Sequence, residues 1–299
     1  MSAPQVFDRL VARARRRRAL ALGPVTFLIE RVAEDLSERL SAVLRRFALA
    51  VDLGTPTDAV RRVLAGHQAI GTIIAVDAVA SVIAAEAGLK VVADEEALPF
   101  ADGALDLVVS ALALQAVNDL PGVLVQIRRA LKPDGLLLAC LLGGDTLTEL
   151  RQSFAVAEAE IEGGVSPRVA PFPDLRDMGA LLQRAGFALP VVDVDRVTVR
   201  YASPLALMHD LRRMGAGNAL MARRRSPLRR ATLLRMLEIY ANDFADADGK
   251  VRATFEIIWL SGWSPHDSQQ QPLRPGSARA RLAEALGTKE ISLDEKAGR

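Results

Sequence analysis

Apolar and polar positions recur along this chain first with a helical period and then, abruptly, as short unbroken apolar runs. From 26 to 46, Phe27, Leu28, Val32, Leu36, Leu40, Val43 and Leu44 fall at helical spacing with Arg and Glu between them, so an amphipathic helix is predicted. ALAVDLG at 48–54 is a compact apolar run closing on an acid and a glycine, as a buried strand does on entering a loop. TIIAVDA at 72–78 and LKVVAD at 89–94 repeat that plan, and LDLVVS at 105–110 ends on a polar residue. GLLLACLL at 135–142 follows the turn Lys132-Pro133-Asp134-Gly135. Helical stretches at about 56–65, 79–87 and 120–131 separate these runs. Strand and helix in alternation mean βαβ units, hence an α/β fold with a doubly wound, mostly parallel sheet and helices on both faces.

After residue 145 the alternation loosens. TLTELRQSFAVAEAEIE reads as a helix, GGVSPRVAPFPD as a Gly/Pro-rich loop long enough to be functional, and DLRDMGALLQRAGF as a helix capped by Gly186. VVDVDRVTVRY at 191–201 alternates with period two, as a strand exposed on one face does. SPLALMHDLRRMG and SPLRRATLLRMLEIYANDF read as helices and ATFEIIWLSGW at 253–263 as a last strand, with a loosely ordered tail expected after Pro265.

Composition narrows the function. Half of the 299 residues are hydrophobic but only 4% are aromatic, so the core must be aliphatic. The charge balance, 38 basic against 36 acidic residues and a net +2, excludes a generally basic nucleic-acid binder. The single cysteine, Cys140, excludes an internal disulfide and a cysteine-rich zinc site. His67, His209 and His266 form no helical i, i+4 pair, so no metal is expected. No uncharged stretch reaches the ~20 residues of a membrane span. The basic N-terminus runs into ALALGPVTFLI, which Gly23 and Pro24 interrupt and which lacks a small-residue cleavage pattern; it is read as part of a mature protein of a bacterial cytoplasm.

In an open parallel sheet, ligands bind beyond the carboxyl ends of the strands. That singles out Asp52 and Gly54 after the first run, Asp77 after the second, Asp94 after the third and Ser110 at the end of the fourth. Asp77 lies 23 residues past Gly54, the spacing of an acid that accepts hydrogen bonds from both ribose hydroxyls of a nucleoside. Capping of the following helix is the other role open to it.

Residues 94–135, DEEALPFADGALDLVVSALALQAVNDLPGVLVQIRRALKPDG, resemble the class I S-adenosylmethionine-dependent methyltransferases. There an acid followed by LPF, then a D-L-V-V-S strand, then a helix ending R-x-L-K-P-D-G occur in that order. FDRLVARARRR, ADEEALPF, VNDLPGVLVQI, GGDTLTELR, GGVSPRVAPFPDLRDMGALLQRAGF and GW-x-x-H-x-S-Q look like the complex I assembly-factor-5 family and its bacterial relatives, from about residue 7 to about 276. The resemblance implies a Rossmann-like class I methyltransferase fold with a seven-stranded sheet and S-adenosyl-L-methionine as cofactor. It also implies a protein substrate or assembly partner such as a complex I subunit. The mitochondrial member is regarded as a protein arginine hydroxylase, whereas bacterial relatives are commonly labelled methyltransferases. By position, Asp52 and Gly54 match the start of the cofactor loop, Asp77 the ribose acid and Asp94 with Glu95 the adenine-side motif; Ser110 ends the strand facing the methionine moiety. The expected organisation is a basic helical arm at 1–46, a methyltransferase-like domain at 47–265 with a family-specific insertion at about 145–250, and the tail at 266–299.

Two departures stand out. The family loop D-L-G-C-G-x-G is here Asp52-Leu53-Gly54-Thr55-Pro56-Thr57-Asp58. Pro56 fixes φ and removes a donor where glycine lets backbone approach a ligand, and Asp58 adds a charge able to attract a sulfonium or repel the methionine carboxylate. The family's Leu-His-Trp becomes Leu114-Gln115-Ala116. A non-catalytic assembly chaperone with a degenerate cofactor loop is therefore the alternative to a methyltransferase, with arginine hydroxylation, by resemblance, a third. No general base stands out: His266 in SGWSPHDSQ is a weak catalytic candidate, and His209 sits on an amphipathic helix. Arg13 with Arg15–Arg18, and Arg223–Arg225 with Arg229 and Arg230, read either as solvated helix surface or as a docking site. The partner would be an acidic protein or anionic lipid at the inner-membrane surface. Nucleic acid is not expected, because no aromatics interleave with these arginines.

Overall fold

The structure, a computed structural model, describes residues 5–84, 88–270 and 287–288. The chain divides into two units, Met1–Pro265 and His266–Arg299. Most of the tail expected to be loosely ordered, and residues 85–87 of the expected helix at 79–87, lie outside the described residues.

The first unit opens with two helices, α1 (Arg9–Ala21) and α2 (Phe27–Ser41). Then β1 (Phe47–Leu53), α3 (Ala59–Gly66), β2 (Ile70–Asp77), α4 (Ala80–Ile83), β3 (Leu89–Val92) and β4 (Leu105–Ala111) follow as the apolar runs predict. The second half consists of α5 (Leu120–Ala130), β5 (Leu131–Leu142), α6 (Thr148–Glu162), α7 (Leu175–Arg184), β6 (Ala188–Tyr201), α8 (Pro204–Arg213), α9 (Arg230–Phe244) and β7 (Val251–Trp263). One seven-stranded sheet runs β3-β2-β1-β4-β5-β7-β6. Its first five strands are parallel and β7 and β6 antiparallel, giving the Rossmann-like α/β arrangement expected. The winding direction reverses between β1 and β4, so the crevice for a ligand opens at their carboxyl ends.

Strand alternation splits the core in two. Leu136, Leu138 and Cys140 of β5 face α2, α6 and α9 on one side. Leu137, Ala139 and Leu141 face α5 and α7 on the other. Both faces of the central strands are buried, which is why those runs are apolar throughout. Cys140 is fully buried and its thiol is pushed up to about 12 by burial, as suits an inert core residue.

Several boundaries differ from expectation. The α2 helix stops at Ser41 rather than 46, leaving Leu44 fully exposed, because the chain must turn so that the Phe47 N–H can pair with the Ala69 carbonyl. The Lys132-Pro133-Asp134-Gly135 segment is a bulge inside β5, whose pairing with β4 passes from Leu105–Leu131 to Leu107–Leu136. The α7 helix ends as read, with Gly186 at φ +85°.

Candidate functional site

The loop after β1 is built from below. Asp52 is fully buried, and it accepts hydrogen bonds from the Thr55 hydroxyl and the Arg61 guanidinium of α3. Burial pushes its carboxyl up to about 6, against the pull of Arg61 and Thr55. Asp52 therefore braces the loop. Ser110 is also fully buried and donates to the Leu53 carbonyl at 2.7 Å, tying β4 to β1. Gly54 has φ +73°, and a Cβ there would lie 3.0 Å from Ala113 Cβ and 3.1 Å from Glu95 Oε1. Glycine is required here for both reasons. Asp58 is half-exposed and stands 3.4 Å from Nε of Arg62, a residue that also pairs with Glu30 of α2.

Asp77 ends β2 with 1% exposure, its Oδ1 accepting the Val79 N–H at 2.6 Å and its Oδ2 accepting Arg16 Nη2 at 2.5 Å. Burial raises its pKa, and Arg16 opposes the rise. Asp94 accepts Arg9 at 2.5 Å, the Glu96 N–H at 2.9 Å, and Arg13. Burial works against its charge, but the Glu96 N–H and the two arginines outweigh it and hold the carboxyl below its ordinary range. Glu95 pairs with Arg9, and Arg16 Nη1 stands 3.7 Å from it. Arg16 also donates to the Gly54 carbonyl at 3.1 Å. The arm thus lays three arginines of α1 over Asp77, Asp94 and Glu95, three of the four acids that sequence singled out.

Long-range contacts hold the arm there. The Val6 and Phe7 N–H groups donate to Asn118 Oδ1 at 2.8 and 2.7 Å. The Asp8 N–H donates to the Ala219 carbonyl, and that of Met221 to the Val6 carbonyl. The Asp8 side chain caps α1 and accepts Arg223 Nη2 at 2.9 Å. Gly215, at φ +74°, lets the 214–219 loop pass close to Arg16. The arginine clusters are therefore not wholly solvated surface: Arg13 and Arg16 point into the site, Arg223 latches the arm, and Arg224 and Arg229 reach Glu162. Local spacing could not reveal this, because the partners lie roughly sixty to two hundred residues away.

Beneath the arm lies a cavity of about 580 Å³. One end is bounded by Pro56, Thr57, Glu95 and Ala113; the other by Phe154, Phe172 and Met208. The Gly/Pro-rich loop supplies Arg168, Val169 and Ala170, so its functional reading is consistent with its place. Sequence reasoning missed Arg168, whose signal was a single charge in an apolar loop. Glu158, fully buried on α6, accepts Arg168 Nε at 2.7 Å and the Ser166 N–H at 2.7 Å. Gln115, at the family's histidine position, lines the cavity with a buried Oε1 that has no partner. His266 opens the second unit, exposed, its Nδ1 2.6 Å from the Ser268 hydroxyl. His209 lies on α8 as expected.

A methyltransferase domain model matches residues 51–139, which hold the strand-end acids of this site. Over 97% of its length the chain is 37% identical to the mitochondrial arginine-hydroxylase NDUFAF5 of Danio rerio, covering 92% of that protein. The chain belongs to the NDUFAF5 family. The human NDUFAF5 is 38% identical over 93% of this chain and 83% of its own length. A malonyl-[acyl-carrier protein] O-methyltransferase of Laribacter hongkongensis is 42% identical over 61% of this chain and 59% of its own. Among solved structures, a Bacillus halodurans protein described as a methyltransferase superposes with TM-score 0.54 at 16% identity, covering 78% of this chain and 98% of its own, which shows the shared fold. S-adenosylmethionine is the cofactor this domain implies, and the residues present fit it. Gly54 leaves a cradle that a Cβ would fill against Ala113, Asp77 is a buried acid at the ribose position, and Gln115 Oε1 is an orphaned acceptor in the cavity that Ala113 also lines. Among the described residues no helix is long and apolar enough to cross a membrane, and no group of His, Cys, Asp and Glu is placed to hold a metal.

Proposed function

We propose that this member of the NDUFAF5 family is an S-adenosylmethionine-dependent methyltransferase-type enzyme acting on a protein substrate in respiratory complex I assembly. The observation that carries the reading is the buried Asp77 at the carboxyl end of β2, which shares its Arg16 partner with the Gly54 carbonyl. Asp77 would hold the ribose diol, Asp94 and Glu95 would read the adenine edge, and the Gly54 loop would support the methionine end. When bound, the cofactor supplies an electrophilic methyl group. The chain's own part is to position the acceptor in line and exclude water, with α1 as the cover. Because Arg16, Arg9 and Arg13 already occupy these carboxylates, entry of a nucleoside requires the arm to share or yield those bonds.

A second reading, hydroxylation of a protein arginine, is favoured by the activity in the names of the full-length relatives. Titration calorimetry with S-adenosylmethionine and S-adenosylhomocysteine tests the first. Micromolar affinity, ~−8 kcal/mol, is expected for wild type and its loss for Asp77→Ala. No binding at millimolar ligand would refute the cofactor role. The mass added to a modified substrate, one CH2 unit for methylation against one oxygen atom for hydroxylation, separates the two chemistries.

A further inference from the structure

The arginines that line the cavity fall into two sets. Arg9, Arg13 and Arg16 meet the acids at the strand ends, and Arg168 meets Glu158. Arg15, Arg18, Arg212 and Arg213 pair with no acid among the described residues. Glu95 is the only acid lining the cavity among those residues, and Arg9 already holds it. Asp8, whose charge acts on Arg15, already accepts Arg223. The second set forms one surface. Arg213 Nε donates to the Gly23 carbonyl at 2.8 Å and the Val25 N–H to the Arg213 carbonyl at 3.4 Å, so α1 and α8 end side by side. Arg18 stands in the last turn of α1, and Arg212 and Arg213 in the last turn of α8. Each suits its own helix dipole there. Together with the half-buried Arg15, however, these three exposed side chains crowd four like charges around the mouth of one cavity.

We propose that this rim is the docking surface for an acidic segment of a protein substrate. The segment sets one residue into the cavity while carboxylates on either side of it meet Arg15, Arg18, Arg212 and Arg213. The inference rests on the cavity being the substrate's site, as in the proposed function, and adds the class of sequence taken there. Guanidinium forks pair with carboxylates through two parallel hydrogen bonds, and opposite charges also steer the encounter. A polypeptide fits better than a bilayer because the charge surrounds a concavity of about 580 Å³, which a lipid surface touching the exposed arginines would leave unfilled. Acids beside the inserted residue also supply the counter-charge that an arginine side chain would need among these cations. The surface therefore serves methylation and hydroxylation alike.

The test measures fluorescence anisotropy of two labelled peptides, EDARADE and its neutral counterpart QNARANQ, on the full-length protein. Wild type is expected to prefer the acidic peptide, and the double variant Arg18→Gln/Arg212→Gln to weaken it about fivefold or more. Arg176→Gln/Arg184→Gln, which removes the same charge from two exposed positions on α7, is expected to stay within about twofold of wild type. S-adenosylhomocysteine affinity and melting temperature are expected to match wild type in both variants, since all four side chains lie in exposed residues. Equal affinity of wild type for the two peptides overturns the proposal. Equal weakening by the two double variants does so too, because net charge would then suffice. Loss of S-adenosylhomocysteine with Arg18→Gln/Arg212→Gln would give the rim to the cofactor and overturn it as well. Vesicles of equal parts phosphatidylserine and phosphatidylcholine, captured through Arg18 and Arg212 while the peptide stays free, would make the rim a membrane face and refute the docking. Rim-dependent peptide capture by a protein that takes no S-adenosylhomocysteine keeps the docking surface and refutes the cofactor reading; the converse result does the reverse.

Discussion

Replacing Glu158 with glutamine changes one atom in a fully buried side chain and removes the charge that fixes the cavity's loop. The carboxylate accepts the Ser166 N–H at 2.7 Å, the Ser166 hydroxyl at 2.9 Å and two nitrogens of Arg168, whose guanidinium also lies over the Phe154 ring. Glutamine keeps the shape, but its amide nitrogen turns a donor toward other donors. Removing one partner of a buried ion pair costs about 3–5 kcal/mol. Arg168 keeps 17% of its side-chain exposure, so the low end, about 3 kcal/mol, is expected. With a urea m-value of about 3 kcal/mol/M for a chain this long, the midpoint falls by roughly 1 M. The pH dependence is the stricter check. Burial opposes the charge, but the Ser166 N–H, Arg168 and the Ser166 hydroxyl prevail and hold the Glu158 carboxyl below its ordinary 4.5. A depressed folded value means that the wild-type advantage is complete above 4.5 and shrinks as pH falls through the folded value. Urea unfolding of both proteins across that range measures it. A difference under about 0.5 kcal/mol at neutral pH, or one that persists undiminished in acid, would refute the ion-pair account.

Gly54→Ala forces a left-handed backbone and pushes Cβ onto Ala113 and Glu95; it should lose about 1–3 kcal/mol of stability and weaken S-adenosylhomocysteine, and an unchanged protein would show that the loop has slack. Asp52 has a folded value raised to about 6, so its contribution to stability is full below its unfolded value of 3.8 and is lost as pH rises through 6. Wild type should therefore lose stability relative to Asp52→Asn across that interval in pH-dependent urea melts, and a constant difference would contradict the burial. Asn118→Ala removes the acceptor of two arm N–H groups and should cost about 1–2 kcal/mol while speeding proteolysis within the first twenty-odd residues. Equal cleavage rates would place the latch elsewhere.

The central strands were legible because each is an apolar run buried on both faces, and the acids at their ends announce where a sheet of this kind opens. What pattern could not supply was partnership at a distance. β7 inserts between β5 and β6, although nothing in ATFEIIWLSGW says which strand it will join. Asp52 and Ser110 share the strand-end position of Asp77 and all three are buried, but a one-dimensional string does not say that Asp52 meets Thr55 and Arg61, Ser110 the Leu53 carbonyl, and Asp77 an arginine of the arm. Arg61 lies on a helix whose other charges are exposed, so only the packed structure shows it 7% exposed against Asp52. The arginine-rich arm gave the least away. Five cations in six residues look alike in sequence, while in the fold Arg13 and Arg16 meet acids, Arg15 meets none, and Arg17 faces water.

The latch joining residues 6–8 to 219–221 also sets a schedule for synthesis. The arm leaves the ribosome more than two hundred residues before its docking loop, an interval of roughly 10–40 s at about 5–20 residues per second. Throughout that interval the parallel sheet can form while its cover waits, highly cationic, outside the growing domain. The emergence of the loop at 219–221 thus decides when the cover can close.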